Sequence, residues 1–136
     1  MKTIPDAGIR LEHFWISRAL DEVESAALAL FSEEPSFGAL AEAVEKLVSL
    51  RDGHEAAEAA AIAPVAHLFS AEDRGAIHRQ HTIGQALLDD LASSIEEALS
   101  SESPDTASVA QKASMAARCV RDHFAFEEEA MARASS

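Results

Sequence analysis

The chain has 136 residues, 48% of them hydrophobic and 26% charged, with a formal net charge of −13. That length suits one domain with a sizeable core, and so acidic a surface excludes nucleic acid and anionic membrane as partners. One cysteine, Cys119, rules out an internal disulfide, and the lack of tyrosine rules out storing an oxidising equivalent on a tyrosine beside a metal.

Alanine and leucine dominate, and the five glycines are scattered. That balance predicts an all-helical chain, poor in the β-branched and aromatic residues that strands favour. Residues 1–6 lead into no apolar leader, and no apolar run approaches membrane-spanning length. The expectation is a soluble, cytoplasmic protein.

The first predicted helix covers residues 7–32, with Ile9, Ile16, Leu20, Val23, Ala27 and Phe31 at helical spacing and His13 within their stripe. A polar run containing Pro35 ends it. Ser36 is the expected N-cap of a second helix beginning near Phe37, whose inner face reads Leu40, Val44, Leu47, Leu50, His54, Glu58 and Ala61. Pro64 kinks or ends that helix, and His67 beyond it is expected at the surface. Ser70 caps a third helix with Ile77, His81, Leu88, Leu91 and Ile95 inward and His78 just ahead of His81. Residues 100–105 form the clearest loop. A fourth helix then covers 105–133, carrying Val109, Ala113, Ala116, Val120, His123 and Glu127 inward.

The chain also reads as a tandem repeat within a single domain, residues 9–67 and 71–133. Glu12-His13 corresponds to Gln80-His81, and His54-x-x-x-Glu58 to His123-x-x-x-Glu127. Residues four apart on a helix share a face, so each His–Glu pair presents two metal-ligating groups side by side. Short connections imply an up-down-up-down four-helix bundle, in which all four repeat histidines fall in one layer near one end. Burying four histidines and two carboxylates without partners would cost several kcal/mol for each charged group. Internal His–Glu ion pairs would offset part of that cost, but they do not require the repeat to stay in register.

No histidine has a glutamate three residues before it, so the Glu-x-x-His signature of ferritin-like sites is missing. Bridging carboxylates completed by imidazoles suit a pair of iron ions better than magnesium or calcium. Zinc remains open, although four ligands would satisfy a structural zinc. Covalent haem is excluded for want of C-x-x-C-H. Glu55, Glu128 and Glu129 read as solvated residues, with Glu128 an alternative to Glu127 should the last helix unwind there.

These residues, His13, His54-x-x-x-Glu58, His81 and His123-Phe124-Ala125-Phe126-Glu127-Glu128, resemble the hemerythrin-like, or HHE cation-binding, domain family over residues 12–131. The resemblance implies a four-helix bundle with two non-haem iron ions in an Fe–O–Fe type centre. His13 and His54 would bind one ion, His81 and His123 the other, and Glu58 and Glu127 would bridge them. His78 resembles a further histidine ligand on the third helix, and Glu55 is the alternative for that place. The spacing of three from His78 to His81, the long gaps between histidines and the carboxylate four after His123 depart from the oxygen carriers. The expected function is binding or sensing a small diatomic, O2 or NO, or buffering iron. The alternative is a di-iron enzyme reducing peroxide or nitric oxide with an external electron donor, and the least favoured is a metal-free structural bundle.

Overall fold

The structure, a computed structural model, describes residues 4–136. Residues 1–3, the start of the stretch read for a leader, lie outside that range. Four helices follow one another: α1 (Asp6–Leu28), α2 (Phe37–Ile62), α3 (Ala71–Leu99) and α4 (Thr106–Ser135). Each packs on its two neighbours in a ring, α1 and α3 both lying against α2 and α4. No strand occurs among the described residues, and no helix is long and apolar enough to cross a membrane.

Local chemistry explains the helix starts. Ser36, Ser70 and Asp105 each accept a hydrogen bond from the backbone N–H three residues on, at 3.1, 3.0 and 3.0 Å. Each bond satisfies one of the N–H groups a helix start leaves unpaired, typically for about 1 kcal/mol. α1 has no such cap and begins after Pro5.

Two apolar clusters fill the ring. The larger joins Ile16, Leu20, Leu40, Leu47, Leu88, Leu91, Ile95 and Val120, and the smaller joins Ile4, Ile9, Val65, Phe69, Ala130 and Met131. The smaller one exists because α2 stops at Ile62 and tightens into a 3₁₀ segment, Ala63–Leu68, around Pro64. That segment drops Val65 inward and leaves His67 exposed, closing one end of the bundle. Proline lacks an N–H and crowds the preceding turn, so a regular α-helix does not continue through it.

Two expected core positions move. α1 gives way to a 3₁₀ turn, Ala29–Phe31, whose tighter winding turns Leu30 inward and leaves Phe31 exposed. On α2, Leu50 is exposed and Arg51 is buried in its stead. The buried positions 40, 44, 47, 51, 54 and 58 alternate steps of four and three, and Leu50 falls off that stripe.

Candidate metal centre

Between the two apolar clusters lies a polar layer. His13 lies four residues beyond Ile9 and three before Ile16, so the core stripe of α1 carries it inward. His54 and Glu58 continue the α2 stripe, and His123 and Glu127 the α4 stripe. These five are 3–6% exposed, while the His81 side chain, from α3, is 28% exposed.

Glu127 stands between the histidines. Its Oε1 lies 2.9 Å from His13 Nε2 and 4.0 Å from His54 Nε2, and its Oε2 lies 3.0 Å from His123 Nε2 and 3.7 Å from His81 Nε2. Glu58 spans the same gap from α2, with Oε2 2.9 Å from His54 Nε2 and Oε1 3.7 Å from His81 Nε2. Each carboxylate thus offers one oxygen to each histidine pair. Among the described residues, ligand atoms gather within 4.8 Å in two groups: His13, His54, Glu58 and Glu127, and His81, His123 and Glu127.

Three rings are anchored by their other nitrogen. His54 Nδ1 meets Glu12 Oε2 at 2.9 Å, His123 Nδ1 meets Gln80 Oε1 at 2.7 Å, and His13 Nδ1 meets Glu128 Oε2 at 3.2 Å. Arg10 holds Glu128 from the far side. These acceptors favour a proton on Nδ1 and leave Nε2 as a lone pair, the arrangement of metal-ligating histidines. Phe124 closes the apolar side, stacked on the His13 ring with centroids 3.9 Å apart.

These residues fit a cation. His13 Nε2 and His54 Nε2 face one another at 3.1 Å, and with both Nδ1 atoms donating they would be opposed lone pairs. Glu58 Oε2 and Glu127 Oε2 are buried with no hydrogen bond of proper geometry. Ligand atoms about 3 Å apart are the spacing required around an ion with bonds of about 2.1 Å at right angles.

Without a metal ion, protons must balance the carboxylates, and burial and close contact shift the pKa values of the cluster. Burial would lower the His54 pKa, but hydrogen bonds to Glu58 and Glu12 outweigh it and raise it to about 9. Burial lifts Glu58 to about 7, reinforced by Glu127 and opposed by His54. Burial also works to raise Glu127, yet His123, His13 and His81 hold it well below the usual carboxylate range. For His81, burial is outweighed by Glu127, Glu55 and Glu58, and its pKa is raised.

A cavity of about 220 Å³ runs from this layer toward the closed end, lined by Ile9, Ile62, Phe69, Met131, His81 and both carboxylates. His78 lies exposed on its wall and joins neither ligand group. Glu55 Oε1 lies 2.8 Å from Arg51 Nη2 and, like Glu58 Oε2 and Glu127 Oε2, is buried with no hydrogen bond of proper geometry. Glu128 is only partly solvated: α4 continues without a break through Glu127, and the Glu128 carboxylate turns to His13. Glu12, Gln80 and Arg51 were not read from the sequence as parts of the site. The pairing of Glu12-His13 with Gln80-His81 in the repeat was the signal for the first two, and the step from Leu47 to His54 for the third.

The family model described as hemerythrin HHE cation binding domain matches residues 5–134. No curated protein and no solved structure matches significantly.

Proposed function

The chain belongs to the hemerythrin HHE cation-binding family, and on that premise we propose that its buried cluster holds two non-haem iron ions that bind or sense a small diatomic ligand, O2 or NO. The observation that carries this reading is the double sharing of carboxylates. Glu58 and Glu127 each place one oxygen toward His54 or the His13–His54 pair and the other toward His81 or the His81–His123 pair. A single ion would leave half of these atoms without a role.

His13 and His54 would hold one ion, His81 and His123 the other, with Glu58 and Glu127 between them. Iron supplies the affinity for a diatomic ligand; the chain supplies the rest. Glu12, Gln80 and Glu128 orient the rings, and Phe124 excludes water from one side. The cavity beside His81 has room for a diatomic and walls that are mostly apolar, which suits a small neutral ligand.

Protein produced with iron is expected to contain two iron ions per chain, to absorb as a coupled pair, and to bind NO saturably. One ion per chain, or zinc in place of iron under iron-replete growth, would overturn the reading. Rapid consumption of peroxide or NO with an electron donor would move the protein to the enzyme class on the same centre.

A further inference from the structure

α1 is apolar on two faces. One is the core stripe through Ile9, Ile16, Leu20 and Val23. On the opposite side Ala7, Leu11, Phe14, Trp15, Arg18 and Glu22 are all exposed, with Leu11, Phe14 and Trp15 at 58%, 53% and 54%. At 3.6 residues per turn these six positions form one stripe, half a turn round the helix from the core.

The stripe is ordered within itself. The Phe14 and Trp15 rings meet edge to face with centroids 5.5 Å apart, and the Arg18 guanidinium lies 6.0 Å from the Trp15 ring centre. Single exposed apolar residues, such as Met115 on α4, are ordinary on a protein surface. A contiguous set that includes the chain's single tryptophan is not, and it marks an interaction surface.

Two observations identify the occupant as a second copy of the chain. The first is spacing. Along the stripe the steps are 4, 3, 1, 3 and 4 residues, the same in both directions. A half-turn about an axis between residues 14 and 15 therefore lays the stripe on itself, with Phe14 against Trp15, Leu11 against Arg18 and Ala7 against Glu22. A twofold interface requires such self-complementarity.

The second is charge. At a net −13, most of the surface repels another copy. The exposed charges of residues 7–22 are Arg10, Arg18, Asp21 and Glu22, and they cancel. An antiparallel mate brings Arg10 within about one turn of the second copy's Asp21 and Glu22, whereas a parallel mate would set like charges together.

We propose that this face joins α1 to α1 of a second copy, antiparallel across that axis. A phenylalanine or tryptophan buries about 150–250 Å², so with half still exposed the two rings and Leu11 offer roughly 500 Å² of apolar surface between two copies. An interface of about 1,000 Å², the lower bound for specific association, is a little over half apolar and requires about that much. The dimer is accordingly small and reversible.

Analytical ultracentrifugation of the full-length protein from about 1 to about 500 µM, a range that reads micromolar affinity, tests this together with the emission of Trp15. The mass should rise from 14.5 kDa toward twice that, and the emission should shift to the blue over the same range. Leu11→Glu and Phe14→Glu should each weaken association at least about tenfold, about 1.4 kcal/mol, with helical content by circular dichroism unchanged. Met115→Glu, equally exposed but on α4, should leave association as it was. In a Cys119→Ser background, mixed Leu11→Cys and Arg18→Cys chains should oxidise to the mixed disulfide in preference to either self-pair. A constant mass of one chain over the whole range would overturn the proposal. So would association that both glutamate variants leave intact, or a preference for the self-paired disulfides. Blue-shifted emission on neutral lipid vesicles from a chain that stays monomeric would assign the face to lipid instead and overturn it too.

Discussion

Ferrous ion titrated into the chelated protein should raise the melting midpoint with a slope set by the number of ions. Metal that binds only the native state stabilises it by mass action. Above both dissociation constants, each tenfold rise in free metal adds about 1.4 kcal/mol per ion, hence about 2.8 kcal/mol for two. At roughly 2.1 cal/mol/K per residue, 136 residues give an unfolding entropy of about 0.29 kcal/mol/K. The midpoint should therefore climb about 10 °C per decade for two ions and about 5 °C for one.

The contacts then say which variants change the slope. Glu127 belongs to both ligand groups, so Glu127→Ala should flatten the response almost completely. Glu58 contacts His54 and His81, one from each pair, and Glu58→Ala should act similarly. His13 belongs to the first group alone, and His13→Ala should leave a slope near that of one ion. Anaerobic scanning calorimetry at fixed pH, with free ferrous ion set by a chelator buffer, reads all four slopes. A flat response from the unaltered chain, or a full two-ion slope from Glu127→Ala, would refute the reasoning.

The metal-free protein should lose stability as pH rises. His54, raised from 6.5 to about 9, contributes fully below its unfolded value and loses the contribution as pH climbs through its folded value, roughly 3 kcal/mol in all. Melting curves between pH 6 and 10 with chelator check this, and a rising midpoint would contradict it. Metal uptake at neutral pH should accordingly release protons, measurable by calorimetry in buffers of different ionisation enthalpy. Leu91→Ala, at a fully buried core position, should cost about 2–5 kcal/mol, lowering the midpoint by roughly 7–17 °C. His67→Ala, on the exposed 3₁₀ segment, should change neither iron content nor spectrum, and loss of metal in that variant would contradict the site as drawn.

The number of helices, their caps at Ser36 and Ser70 and most of the core stripes were legible because 3.6-residue periodicity is a local property. The convergence of His13, His54, His81 and His123 was legible for the same reason, since topology and the repeat place them in one layer. What escaped depends on packing between elements. Phe31 lost its inward place to Leu30 through a 3₁₀ turn that no periodicity announces. Leu50 was expected on the inner face of α2, and Arg51 takes that place although a buried cation is costly alone. Its three partners, Glu55, Gln85 and the His81 carbonyl, come together only once α2 meets α3.

The two halves match in their ligands and differ in what stands behind them. Glu12 backs His54, and its counterpart Gln80 backs His123, a carboxylate in one half and a neutral amide in the other. Glu128, the residue after Glu127, backs His13; its counterpart after Glu58 is Ala59, which offers no acceptor to His81. Carboxylate partners raise the basicity of the ring they hold, whereas an amide does so less. Both carboxylate partners therefore serve the His13–His54 pair, and that pair is also the more deeply buried, beneath Phe124. His81, 28% exposed and without a side-chain acceptor at Nδ1 among the described residues, borders the cavity. Under the proposed iron pair, the inner half is built for retention. The outer half combines the least anchored ring with access for a small ligand, and a duplicated sequence thereby yields two unequal positions.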